Sequence, residues 1–180
     1  IASGHKSVND YMNHRKNFIL KHDPDHLLLN FVSSHDENAW AGTVGELYGK
    51  AAHTIMALNY IAPGLPFLYS GVEYDLNKRL LFFEKDSFPR VAGETFNLLK
   101  KLGKLKRTNP ALDAGKEAGK FSTIKTSLED KVLAFERSKE GDTIVFIANM
   151  SRDHIGFTSE YQGIFKRYQD NKPKILMNSY

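Results

Sequence analysis

The amino-acid sequence predicts an α/β protein in which a parallel sheet with its helices is followed by an antiparallel β region. Two observations support this prediction. Up to about residue 110 the apolar residues change between helical and strand spacing, in the order helix, strand, helix, strand, helix. Beyond Gly119 their period becomes two, which is typical of antiparallel strands. We therefore expect two parts, residues 1–112 and residues 116–180.

The composition is that of an ordinary globular protein. Of the 180 residues, 41% are hydrophobic and 26% are charged, and the formal net charge is +4. Lysines and arginines are scattered and form no single basic stripe, so nucleic acid is not an expected partner. No apolar run approaches the ~20 residues of a membrane-spanning helix. The absence of cysteine excludes disulfides and thiolate zinc sites.

The first part contains three predicted helices and two predicted strands. The helices cover residues 7–21, 45–61 and 91–106, and Ser7 is the expected cap of the first one. Residues 27–32 and 65–69 are short apolar runs bounded by polar residues, so we expect strands that are buried on both faces. In parallel α/β folds the chemistry lies at the carboxyl ends of the strands.

The second part contains three segments with the alternation of β-strands, at residues 121–124, 132–137 and 143–149. Glu140, Gly141 and Asp142 separate the last two segments and predict a hairpin turn. Because hairpin contacts are local, we expect a separate antiparallel domain that starts near residue 115.

A histidine and an aspartate, His35 and Asp36, follow the first predicted strand. A carboxylate held at that point can hydrogen-bond sugar hydroxyls and counter the positive charge of an oxocarbenium-like transition state. The alternative is that Asp36 caps a loop or the next helix and that His35 is a solvated loop residue. The dipeptide alone leaves both interpretations open.

Two longer motifs resemble those of a known family. Residues 31–38 read FVSSHDEN and resemble the seventh-strand signature of the α-amylase family (glycoside hydrolase family 13), which ends in Asn-His-Asp. Residues 63–73 read PGLPFLYSGVE and look like the eighth-strand signature, Gly-x-Pro followed by Tyr-x-Gly-x-Glu. NKR at 77–79, FFEKD at 82–86 and NPAL at 109–112 are also similar to bacterial members. The order and spacing of the two signatures make the resemblance specific.

The resemblance implies that residues 1–112 are the C-terminal part of a catalytic (β/α)8 barrel and that residues 116–180 are an incomplete antiparallel β-sandwich domain. It implies a parent enzyme that hydrolyses α-linked glucans, such as starch and maltooligosaccharides, by retaining double displacement. A transglycosidase of the same family and a non-catalytic glucan-binding or structural fragment are the alternatives. The family's nucleophile and acid/base lie upstream of Ile1, so we expect the isolated chain to be inactive.

The resemblance also assigns roles to residues near the first strand. Asp36 matches the aspartate that stabilises the transition state, and His35 matches the histidine that binds the same sugar. Ser34 stands where the family usually has asparagine, which affects how the pair is oriented. Trp40 either stacks on a glucose ring or packs in the core, and the sequence does not decide between the two.

At the end of the second strand, Tyr69 and Glu73 match the family signature and are expected to support the site. For Glu73, an ion pair with Arg79 is the alternative to substrate contact. A metal cluster could be formed by His22, Asp23, Asp25 and His26. These residues precede the first strand, which would place them at the barrel face opposite to the site, so the prediction is a solvated loop without a metal. No cofactor is expected in this segment, and calcium is a candidate only for the parent enzyme.

The expected partners are an α-glucan substrate and a protein layer over the strands. In a closed barrel, residues 27–32 and 65–69 would have neighbours that this chain does not contain. We therefore expect either an N-terminal barrel segment or self-association to cover them. The resemblance implies a secreted or periplasmic bacterial protein.

Overall fold

The computed structural model describes residues 6–21 and 26–159. The helices within these ranges are α1 (Val8–Lys21), α2 (Val44–Tyr48), α3 (Ala52–Ile61) and α4 (Glu94–Thr108). The strands are β1 (Leu29–Asn30), β2 (Leu65–Pro66), β3 (Lys120–Thr123), β4 (Val132–Lys139) and β5 (Asp142–Asn149). The expected order of helices and strands is confirmed.

The ends of α1 and α4 agree with the sequence pattern. The backbone N–H of Asp10 donates to Ser7 Oγ over 3.1 Å, and the Asp10 carboxylate accepts from the Ser7 backbone N–H over 2.8 Å. This reciprocal arrangement satisfies two donors that a helix start otherwise leaves without partners, which confirms Ser7 as the cap. Helix α4 buries Leu99 and Leu102 and begins and ends two to three residues later than expected.

The prediction of one continuous helix over residues 45–61 is wrong. Helix α2 ends at Tyr48, a 3-10 turn covers Gly49–Ala51, and α3 follows. The cause is Gly49, whose φ of 50° and ψ of −128° lie outside the helical region. Thr43 begins α2 in a capping box with Glu46.

Strands β1 and β2 form a parallel pair in which Leu29 is opposite Leu65. The expectation that both faces are buried is wrong for the described residues. Leu29 is 54% exposed and Phe31 44%, whereas Val32 is buried. The side chains of a strand point alternately to opposite faces, and within the described ranges the helices cover only one of these faces. The other face is an exposed apolar row.

Gly64 allows the chain to approach β1 closely before β2 begins. Its φ is +116°, and a Cβ at this position would lie 2.5 Å from the Leu28 carbonyl oxygen. The predicted end of the second helix at residue 61 is confirmed, because α3 ends at Ile61.

Strands β3, β4 and β5 form an antiparallel sheet in that order. The predicted hairpin is confirmed: Lys139 pairs with Asp142, and Glu140 and Gly141 between them have φ values of 55° and 87°. Two positive φ values in a two-residue loop are the signature of a type I′ turn.

The inner face of this sheet shares one hydrophobic core with the helices. Leu133 and Phe135 of β4 belong to the same buried cluster as Met56 of α3, Leu99 of α4 and Leu112. The Phe135 ring lies 5.1 Å from the Phe121 ring and 5.2 Å from the Phe146 ring. The position of a domain boundary between residues 112 and 116 stays a prediction.

Two cations, one on the sheet and one on α4, donate to backbone carbonyls at and after the end of α3. Arg137 of β4 is fully buried, and its Nη1 donates to the carbonyls of Ile61 (3.2 Å) and Leu112 (3.3 Å). Lys106 Nζ donates to the carbonyls of Gly64 (2.9 Å) and Leu112 (2.6 Å). Burial lowers the pKa of Arg137 to about 10 and that of Lys106 to about 8. These contacts anchor the segment that leads into β2.

Candidate functional site

The segment after β1 presents His35 and Asp36 to solvent. His35 Nε2 lies 3.4 Å from Asp36 Oδ2, and the two side chains are 67% and 62% exposed. Ser34 Oγ accepts from the backbone N–H of Glu37 over 3.2 Å, so Ser34 is the residue that caps this turn. Asp36 makes no side-chain capping bond to the helical turn that follows it, whereas the exposure of His35 agrees with a solvated loop residue. The roles of the two residues stay predictions. The Asp36 carboxylate points outward beside the imidazole.

The turn that follows Asp36 is a π-helical turn, Glu37–Ala41. Such turns contain one residue more than an α-helical turn and are frequent at functional sites. Asn38 lies inside this turn and is 2% exposed. Its Nδ2 donates to the Lys78 carbonyl over 3.1 Å, and its Oδ1 accepts from the Leu80 backbone N–H over 2.8 Å. Asn38 therefore connects the segment after β1 to the segment after β2.

Residues 78–87, which we call the aromatic loop, are closed by Asp86. The Asp86 carboxylate pairs with Lys78 Nζ and accepts from the backbone N–H groups of Leu81 (3.1 Å) and Ser87 (2.7 Å). The hydrogen bond from Lys78, followed by those from the two N–H groups, lowers the pKa of Asp86 to about 2. The carboxylate is thus ionised at neutral pH and holds both ends of the loop.

The aromatic loop places Phe82 beside the histidine and Phe83 beside Phe82. The Phe82 ring centroid lies 5.4 Å from that of His35 and 5.4 Å from that of Trp40, and Phe83 packs edge-on against Phe82 at 4.7 Å. Trp40 is 65% exposed and Phe83 is 86% exposed. The alternative of a buried Trp40 is therefore wrong for the described residues. We call Trp40, Phe82 and Phe83 the aromatic patch.

The ion pair between Glu73 and Arg79, which was the alternative to substrate contact, is absent among the described residues. The Glu73 carboxylate accepts from the Gly71 backbone N–H over 2.7 Å, whereas Arg79 Nε binds Glu46 Oε2 at 3.0 Å. The Glu73–Arg79 pair is thus not formed. Gly71 has a φ of +100°, and a Cβ there would lie 2.7 Å from Leu76 Cδ2. Tyr69 is half-buried against the hydrophobic core.

A second polar group of residues lies apart from the aromatic patch, in a cavity of about 610 Å³ between α2, α3 and α4. His53 Nε2 lies 2.8 Å from Thr95 Oγ1, and Thr95 Oγ1 donates to Asp75 Oδ1. Because the single hydroxyl proton goes to the carboxylate, His53 Nε2 is the donor to Thr95. Thr95 is fully buried, and the chain of bonds joins α3 and α4 to the loop after β2.

The described residues contain no group of three or more His, Cys, Asp or Glu side chains that could hold a metal ion. His22, Asp23 and Asp25 lie outside the described ranges, so the solvated loop expected for them stays a prediction. Within residues 6–21 and 26–159, no helix has the length and apolar character needed to cross a membrane.

The sequence did not indicate a role for Phe82, Phe83 or Asn38. The two phenylalanines lie in the FFEKD motif, within a charge-rich stretch without regular spacing of apolar residues. Their adjacency was the only local indication of a binding role. Asn38 had no signal, because its contacts are with residues about 40 positions further along the chain. The His53, Thr95 and Asp75 chain was missed for the same reason.

The fold and site define an α/β protein with a parallel strand pair, carrying an exposed His–Asp pair after β1, followed by an antiparallel sheet. No protein-family model matches the chain, and no curated protein matches it in sequence. Several solved structures match its fold, and we describe three of them. They are the maltogenic α-amylase AmyB from Thermotoga neapolitana, the cyclomaltodextrin glucanotransferase CldA and an α-amylase from Lactobacillus plantarum.

AmyB has a TM-score of 0.76 and 18% identity, and the match covers 90% of this chain and 37% of AmyB. CldA matches with a TM-score of 0.61 and 18% identity, and the match covers 83% of this chain and 30% of CldA. The Lactobacillus enzyme matches with a TM-score of 0.62 and 18% identity, and the match covers 80% of this chain and 32% of that enzyme. The chain thus spans about a third of the length of these structures. It has the fold of the corresponding part of α-amylase-type proteins, which confirms the resemblance at the level of the fold.

Proposed function

We propose that this chain is the C-terminal part of a family 13 glycoside hydrolase that acts on α-linked glucans by retaining double displacement. The observation that carries the proposal is the exposed His35–Asp36 pair after β1, in a fold shared with α-amylases and a glucanotransferase. Catalytic groups at the carboxyl ends of strands are the rule in barrel enzymes.

In this proposal Asp36 hydrogen-bonds hydroxyls of the sugar at the cleavage point and stabilises the positive charge that develops there. His35 binds the same sugar, and Trp40 contributes an apolar face. Ser34, Tyr69, Glu73 and Arg79 support the loops. The nucleophile and the acid/base come from a segment outside this chain.

We further propose that the exposed apolar row belongs to the interior of a (β/α)8 barrel. Leu29, Phe31, Leu65 and Phe67 are each 40% exposed or more, and Phe31 contacts Phe67 edge-to-face at a centroid distance of 6.3 Å. A complete barrel has ~250 residues, so an N-terminal segment supplies the remaining strands. The antiparallel sheet is then part of a C-terminal β-sandwich.

The test is Asp36→Asn in the enzyme that contains this chain. We expect the turnover rate on soluble starch to fall by roughly 100-fold or more, with a smaller change in KM, because the carboxylate acts mainly in the transition state. The matched control is Asp142→Asn, an exposed aspartate at the start of β5. Retention of a tenth of the wild-type turnover by Asp36→Asn would contradict the role of Asp36.

Transfer is the second candidate reaction, because CldA shares the fold and is a glucanotransferase. Product analysis separates the two reactions: linear maltooligosaccharides indicate hydrolysis, and cyclic or extended products indicate transfer. A non-catalytic glucan-binding fragment is the third candidate. It predicts that the complete protein containing this chain binds maltooligosaccharides without releasing reducing sugar.

A further inference from the structure

We propose that the aromatic loop is a second sugar-binding element, whose Phe82 and Phe83 form with Trp40 a surface for the glucan units that extend away from His35 and Asp36. This inference rests on the proposed function and adds binding residues to that site. It also assigns Asn38 as the residue that sets the position of this surface relative to Asp36.

Exposure of the aromatic patch is the first step of the argument. Phe83 is 86% exposed and Trp40 is 65% exposed, although they lie in one continuous group of rings. Contiguous exposed apolar surface with polar groups at its border marks binding sites in folded proteins. Here the polar border is supplied by His35 and Asp36.

The kind of ligand follows from the position of the aromatic patch directly beside His35 and Asp36. His35 lies against Phe82 at a centroid distance of 5.4 Å, so a ligand on the patch reaches an imidazole and a carboxylate without a gap. A pyranose ring matches both features, because its C–H faces are apolar and its hydroxyls hydrogen-bond at the edge. A purely apolar partner would leave His35 and Asp36 without hydrogen-bonding partners in the contact.

The loop is held in place before any ligand binds. Asp86 ties Lys78 at one end to the backbone N–H groups of Leu81 and Ser87, so both phenylalanines are carried by a short closed segment. A surface that is already ordered loses less conformational entropy on binding than a mobile one. Phe82 and Phe83 can therefore bind sugar rings without reordering the loop.

Asn38 sets the position of the aromatic patch relative to the Asp36 carboxylate. Its side chain is buried in the turn directly after Asp36, and both ends of its amide are bonded to the loop, at Lys78 and Leu80. No single apolar residue could replace a donor and an acceptor at once. Asn38 is thus a positioning residue, which acts through Phe82 and Phe83.

Trp40 is the only tryptophan of the chain, so its emission on excitation at 295 nm reports on the patch alone. We expect maltoheptaose to shift this emission in the wild-type 180-residue chain, whereas cellohexaose, with β-linkages, gives no saturable change. Phe83→Ala should weaken maltoheptaose binding about fivefold to tenfold, within the range of one aromatic contact. Phe157→Ala, an exposed phenylalanine beyond β5, is the matched control with unchanged binding.

A double-mutant cycle tests the role of Asn38. Asn38→Ala should weaken binding by about as much as Phe83→Ala, and the double variant should lose little more, because both changes remove the same surface. Asn38→Ala should also increase acrylamide quenching of Trp40. Additive losses would mean that Asn38 acts on stability alone and would overturn its assignment. If Asn38→Ala does not fold, Phe83→Ala still decides the binding role, since this side chain is exposed.

The outcomes separate this inference from the proposed function. If His35→Ala weakens maltoheptaose binding and Phe83→Ala does not, the aromatic loop is not a sugar surface and the proposed function stands. If the wild-type chain shows no saturable response to maltoheptaose, this inference is overturned, whereas the proposed function is decided separately by Asp36→Asn in the enzyme that contains this chain. A fall in the melting temperature of Phe83→Ala without a change in binding would show that protein covers the patch instead of sugar.

Discussion

The Arg137 guanidinium on β4 donates a hydrogen bond of 3.2 Å to the carbonyl of Ile61, the last residue of α3. A side chain of the antiparallel sheet therefore satisfies a carbonyl that the helix end leaves without a partner. The same guanidinium also reaches the Leu112 and Asp113 carbonyls. The sheet is in this way tied to the segment that leads through Gly64 into β2.

Replacing Arg137 by methionine should therefore destabilise the whole fold. The variant leaves the Ile61 and Asp113 carbonyls without this donor, whereas the Leu112 carbonyl keeps Lys106 Nζ. We expect the free energy of unfolding to fall by about 2–4 kcal/mol, since bonds from a charged donor are each worth roughly 1.5–3 kcal/mol and burying the charge offsets part of that. Urea unfolding followed by circular dichroism measures the change. Lys131→Met removes only an exposed pair with Asp153 and should change stability much less. Equal effects of the two variants would argue against an anchoring role of Arg137.

Lys106 should make stability depend on pH in the alkaline range. Burial, and next the charge of Arg137, lower the pKa of Lys106 from 10.5 to about 8 in the folded chain. Between about 8 and 10.5 the unfolded chain therefore binds more protons at this lysine than the folded chain does. The contribution of Lys106 to stability rises with pH across this window and is lowest below it.

The measurement is the difference in unfolding free energy between wild type and Lys106→Met at pH 7 and pH 10. We expect this difference to move in favour of wild type as the pH rises, because the cost of burying the ammonium disappears. Lys104→Met, at an exposed position of α4, is the control and should show no such trend. A difference that is independent of pH would mean that the Lys106 amine is well solvated in the folded chain.

Thr95→Val should cost stability although it keeps the shape of the side chain. The buried hydroxyl accepts from His53 and donates to Asp75, so valine leaves both groups without that partner. Loss of a buried polar partner costs about 1–3 kcal/mol. Thermal unfolding compares this variant with Thr108→Val, whose hydroxyl makes an exposed bond to the Lys104 carbonyl. If the two variants have the same melting temperature, the chain of bonds contributes nothing to stability.

The isolated chain should self-associate through the exposed apolar row. Leu29 and Phe31 are 54% and 44% exposed, and a contiguous apolar surface of this kind is normally covered by protein. Size-exclusion chromatography with light scattering should give a mass above 20.4 kDa. In the proposed function a preceding barrel segment covers this row, so adding that segment should return a single species that contains one copy of each. A compact monomer with cooperative unfolding would show that the row needs no cover.

Local patterns carried most of what could be predicted. The order of helices and strands, the Ser7 cap and the turn at Glu140 and Gly141 depend on residues close in sequence, and all of them are confirmed. The break in the second helix was missed, because a glycine inside a helical pattern is tolerated in many helices and only its φ and ψ show otherwise. The sequence predicted that residues 27–32 need protein cover from outside this chain, but which of their side chains are exposed, such as Leu29, depends on which layers are present.

The sequence by itself determined the element order, the hairpin and the adjacency of His35 and Asp36, since periodicity and turn chemistry act within a few residues. Tertiary structure alone decided three contacts. Asn38 hydrogen-bonds to the aromatic loop, Phe82 packs against His35, and Arg137 hydrogen-bonds to the Ile61 carbonyl. Each of these contacts joins residues roughly 40 or more positions apart. Such pairs meet only when the helices and the sheet pack into one core, and no local pattern encodes them.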